Sequence, residues 1–150
     1  MVPTAYLFDP VYMDHDTGWG HPERPERLAA IDQRLRQQTY YKSLIKVEPK
    51  IGAKRYIELV HSPEYIERVK QEIESGIHYL DSMDTAVCKR SYEVALFAVG
   101  GSLNMCDTKC RGKQYAVFVQ YDRPVIMRSM IMLQDFVYSI ILPLQLNIYR

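Results

Sequence analysis

A chain of 150 residues is long enough for one domain with a real core, and a formal net charge of +1 gives nucleic acid or an acidic membrane no electrostatic hold. Three cysteines, Cys88, Cys106 and Cys110, make no CxxC pair, so neither a zinc knuckle nor a disulfide framework is expected; Cys106 and Cys110 could share a helical face but read as buried thiols. The opening Met1 to Tyr6 lacks a basic region followed by an apolar core, so the expected setting is cytoplasmic and reducing.

Thr4 to Phe8 predicts a short buried strand, stopped by Asp9-Pro10. Val11 to Gly20 predicts a solvated loop, because Asp14, His15 and Asp16 lack regular metal-ligand spacing. Pro22 and Pro25 hold an extended entry, and Pro25 suits the first turn of a helix running to about Gln38. Leu28, Ile31 and Leu35 supply its apolar face, with Glu23/Arg27 and Asp32/Arg36 at i,i+4 spacing. Taken alone, this is an ordinary surface helix.

Leu44 to Glu48 predicts a second strand and Ala53 to Val60 a short helix. Ser62 then caps a helix with Pro63 at its first position, Tyr65, Ile66, Val69 and Ile73 facing inward, and Gly76 at its end. His61, at the junction, reads as a structural hydrogen-bonding residue. His78 to Lys89, with Asp81 and Asp84, predicts a loop. Ser91 caps a further helix whose apolar face is Tyr92, Leu96, Val99 and Leu103. Gly100-Gly101 interrupts that face, and paired glycines in a helix imply close packing against a strand or another helix. A basic turn from Lys109 to Lys113 leads to a third predicted strand, Tyr115 to Gln120. Strands separated by helical segments indicate an α/β architecture with a parallel sheet.

Several of these stretches carry a resemblance. Gly20-His21-Pro22-Glu23-Arg24-Pro25-Glu26-Arg27-Leu28, Val60-His61-Ser62-Pro63-Glu64-Tyr65, Leu80-Asp81-Ser82-Met83-Asp84-Thr85, and Ser91-Tyr92-Glu93-Val94-Ala95-Leu96 with Ala98-Val99-Gly100-Gly101 stand in this order. Together they resemble the N-terminal part of the histone deacetylase family, and its class II and bacterial branch most of all. The resemblance implies the N-terminal part, residues 1–120, of an arginase-like three-layer α/β fold with a parallel sheet. It implies zinc as the cofactor of the intact family, and acetylated lysine or polyamine as substrate. It matches Arg27 to an arginine lining the cavity behind the active site and Asp84 to a rim-loop acid that binds substrate, with Asp81 the alternative; His15 and His21 fall in the first active-site loop. None of these is a zinc ligand or proton carrier of the family, so this chain is expected to bind no zinc and to be catalytically incomplete.

The pattern departs after the third strand. The family has Arg-Pro-Pro-Gly-His-His-Ala there, whereas this chain reads Tyr121-Asp122-Arg123-Pro124-Val125-Ile126-Met127, with no histidine after His78 and no glycine after Gly112. Suitable synonymous codons for the residues from Tyr121 onward, read from their third base, spell Arg-Pro-Pro-Gly-His-His-Ala. The expectation is therefore that residues 121–150 are an aberrant, out-of-frame hydrophobic tail. Pro143 breaks its uncharged run short of the roughly 18 to 20 apolar residues that span a bilayer, so no membrane anchor is expected, while self-association through exposed apolar surface is.

Overall fold

The computed structural model describes residues 4–52, 54–83, 85–110 and 116–119. Three short strands, β1 (Thr4–Leu7), β2 (Ile45–Val47) and β3 (Ala116–Val119), form a parallel sheet in the order β2-β1-β3. Ala5 pairs with Ile45 on one side and Val117 on the other, so β1 is central. The crossovers contain α1 (Pro25–Arg36), then α2 (Lys54–Ile57), α3 (Pro63–Glu74) and α4 (Ser91–Cys110). This is the parallel α/β arrangement the alternating pattern predicts. The tail and Asp84 lie outside the described residues, as do Ala53 and residues 111–115.

Local chemistry sets the start of α1 and both ends of α3. Pro25 opens α1, where its missing N–H costs nothing, and the predicted Asp32–Arg36 pair forms at 2.5 Å. Ser62 caps α3 by accepting the Tyr65 N–H at 3.2 Å, with Pro63 next, and Gly76 leaves the helix at φ +86°. Ile66, Val69 and Ile73 are buried as the spacing requires.

Three expectations need correction. The first turn after β1 is a 3-10 helix, Pro10–Asp14, because the Asp9 carboxylate accepts the Val11 N–H at 2.9 Å and Pro10 pre-sets its first turn. α4 continues through Lys109 and Cys110, so its last turn occupies the stretch assigned to a basic turn. The buried face of α4 is Val94, Ala95, Ala98, Val99 and Met105, while Tyr92, Leu96 and Leu103 stand half-buried at its margin.

The glycine pair explains that face. A Cβ on Gly101 would lie 2.6 Å from the Tyr12 hydroxyl and 2.8 Å from Leu7 Cδ2, and one on Gly100 would collide with the Lys50 carbonyl. The α4 backbone is therefore in direct contact with the segment leaving β2, with Leu7 at the end of β1 and with Tyr12 beyond it. Small residues occupy the contact and bulky ones move aside. Leu7, Tyr12, Leu28, Ile57, Ile73 and Leu80 form the centre of one core that joins the sheet, α1, α3 and α4.

Candidate active-site entrance

The loop leaving β1 returns across the start of α4 before reaching α1. His15, expected in solvent, is 2% exposed. Its Nδ1 lies 2.7 Å from Ser91 Oγ, and the same oxygen accepts the Cys88 N–H at 2.8 Å. Ser91 is thus the first residue of α4 with its hydroxyl turned to the loop, and the sequence reading of it as a cap missed this role. The Cys88 thiol donates to the Asp14 carbonyl at 3.3 Å and accepts the Asp16 N–H at 3.4 Å. Arg90 closes the seat with ion pairs to Asp14 at 2.9 Å and Glu93 at 2.5 Å. Cys88 is half-buried, and so is Cys106, expected to be buried.

Protonating His15 in this seat is unfavourable. Burial first, and the neighbouring His21 second, push its imidazole down to about 4. Ser91 Oγ also lies 3.4 Å from Cys88 Sγ, so its single proton serves the sulfur when His15 donates from Nδ1. His15 Nε2 is then a buried lone pair, without a hydrogen-bond partner among the described residues.

From this seat the chain runs through Gly18 and Gly20, both at left-handed φ, to the His-Pro-Glu-Arg stretch. His21 Nδ1 accepts the Glu23 N–H at 3.1 Å, which folds the ring onto its own backbone. His21 and Arg27 line an open depression of about 580 Å3 at the start of α1, together with Gly20, Pro22, Arg24 and Glu26. Arg27 is exposed there. The structure therefore brings His21 and Arg27 to one surface and places His15 behind it as a buried anchor.

The second loop is more ordered than its sequence indicates. Tyr79 bridges Ala86, the Leu80 N–H donates to the Thr85 carbonyl at 2.9 Å, and Leu80, Thr85, Ala86 and Val87 are buried. Asp81 takes φ 55°, a conformation uncommon for a residue with a side chain. It is held there by Arg68 at 2.8 Å and the Tyr65 hydroxyl at 3.1 Å, both from α3. Asp81 thus anchors the loop that continues into Asp84. His61 stacks on Tyr65, with ring centroids 5.2 Å apart.

Residues 21–125 match the family model of the histone deacetylase domain. The chain belongs to the histone deacetylase family. An uncharacterized protein of Synechocystis is 36% identical over 118 residues, covering 77% of this chain and 38% of its own length. A probable deacetylase of Archaeoglobus fulgidus is 29% identical over 67% of this chain and 28% of its own. The human polyamine deacetylase HDAC10 is 30% identical over 63% of this chain and 15% of its own. The HD domain of HDA15 superposes with a TM-score of 0.71 at 23% identity, covering 82% of this chain and 35% of that one. The fold is accordingly the N-terminal part of the α/β deacetylase fold, and the chain spans well under half of these relatives. Family membership implies zinc, yet among the described residues no three His, Cys, Asp or Glu side chains gather to hold a metal. No described helix is long and apolar enough to cross a membrane.

Proposed function

We propose that these residues form the substrate-entrance portion of a zinc-dependent amide hydrolase acting on acetylated lysine-like or polyamine nitrogens, and that the chain has no turnover by itself. The observation that carries the reading is the seating of the His15–His21 loop over α4, which presents His21 and Arg27 together at the depression before α1. In this reading His21 borders the substrate mouth and Arg27 forms part of the cavity wall behind the reacting centre. Asp84 binds the substrate from the rim, on a loop that Asp81 steadies. His15 contributes by fixing the loop rather than by touching substrate.

A complete enzyme of this kind would hold zinc, and the metal would supply Lewis acidity toward the acetyl carbonyl and toward water. The acid–base work there falls to a histidine pair, and this sequence has no histidine after His78. The expected result for the purified chain is no stoichiometric zinc and no hydrolysis of an acetyl-lysine amide; zinc at one per chain with turnover would overturn the reading. The alternative, activity through a partner polypeptide, predicts turnover only after the remaining part of the fold is added in trans.

We read residues 121–150 as out-of-frame translation. The family match ending at residue 125 supports this. The coding nucleotides test it: a stop codon, or loss of the His-His codons in the shifted frame, would rule it out.

A further inference from the structure

Trp19 is the sole tryptophan of the chain and is 104% exposed, with its whole indole in water. The turn that carries it is well held. The Asp16 carboxylate accepts the Gly18 N–H at 2.9 Å, the Thr17 hydroxyl donates to the Glu23 carbonyl, and the Asp16 N–H rests on Cys88 Sγ at 3.4 Å. Left-handed φ values of +85° at Gly18 and +82° at Gly20 bend the backbone on both sides of the ring. A large aromatic presented on a pinned turn is a ready contact for a ligand, since little order remains to be imposed on binding.

The same turn carries a carboxylate available to a cation. Asp14 is committed to Arg90, whereas exposed Asp16 makes no ion pair among the described residues. An indole face and a carboxylate together attract a protonated amine, through the ring quadrupole and through charge.

We propose that Asp16 and Trp19 form a subsite for a second, protonated amine of the substrate, selecting acylated amines that carry a further positive charge away from the scissile amide. The inference rests on the loop being a substrate entrance, and its test reads binding rather than hydrolysis. Trp19 reports on its own surroundings. N-acetyl-1,4-diaminobutane, with one ammonium group, is expected to change Trp19 emission saturably, and uncharged N-butylacetamide to bind roughly tenfold more weakly. Asp16→Asn keeps an acceptor for the Gly18 N–H, and so the turn, and is expected to weaken the charged probe by roughly tenfold. Trp19→Ala, followed by calorimetry, is expected to weaken it similarly. No saturable response, an equal response to both probes, or a response to the charged probe unchanged by Asp16→Asn would each overturn the subsite. Failure of the deacetylase reading is separate: the amine titration then succeeds, while no preparation completed with the rest of the fold hydrolyses an acetyl amide.

Discussion

Ser91 joins two parts of the molecule far apart in sequence, through a hydroxyl that both His15 and Cys88 use. Ser91→Ala leaves the half-buried Cys88 N–H and the buried imidazole without that oxygen, and is expected to cost about 1–3 kcal/mol in urea unfolding. His15 also makes stability depend on pH. Its folded-state value, about 4, lies below the ordinary 6.5, so the unfolded chain binds the proton more readily. The contribution is therefore whole above about pH 6.5 and is lost as pH falls toward 4, up to about 3 kcal/mol. Carboxylates titrate in the lower part of this range, so the comparison is with His15→Gln, expected to lose stability less steeply between pH 6.5 and 5. Parallel pH profiles for the two proteins would remove His15 from this role. On the far side of the sheet, Tyr6 donates to buried Asp32 at 3.1 Å; burial and that carboxylate raise its phenol well above the usual range. Lys46 lies over the Tyr6 and Tyr41 rings, at 4.4 and 3.2 Å from their centroids.

The elements differ in how much of them the sequence made readable. α3 was legible from end to end, because a serine cap, a proline and a terminal glycine act locally. Ser62→Ala is expected to cost about 1 kcal/mol, measurable as a shift in the urea midpoint. The three strands were legible for the same kind of reason, each an apolar run between turn residues. α4 was legible in place but not in orientation: Tyr92, Leu96 and Leu103 are the bulkiest candidates for an apolar face, yet backbone contact at Gly100 and Gly101 gives the buried side to alanines and valines. Gly101→Ala should therefore destabilise by about 1–3 kcal/mol, and a change under a few tenths would mean that Leu7 and Tyr12 have room to move. The burial of His15 was not legible, since its partners stand 76 residues away and a serine before an apolar run reads equally well as a cap. Asp84 was reached through family resemblance alone.

For the molecule as a whole, one continuous core coexists with an open sheet. β2 and β3 each have a single strand neighbour among the described residues, so within those residues each has one edge of backbone donors and acceptors unpaired. Such edges, with large side chains such as Trp19, Met83, Leu59 and Ile51 exposed, favour association and weaken cooperativity. Thermal melting of the chain is expected to be broad and to depend on protein concentration; a sharp, concentration-independent transition would show that the core suffices.

The strand order has a further consequence. From β1 the chain moves out to β2 on one side, then returns to place β3 on the other. Connections that leave a parallel sheet in opposite directions open a crevice at the carboxyl ends of the two strands between which the direction reverses, here β1 and β3, and ligands of open α/β sheets settle there. β1 ends at Leu7, and the turn that follows leads directly to His15, Trp19 and His21. Chain topology alone, without any motif, thus points to the same end of the sheet as the entrance proposed above.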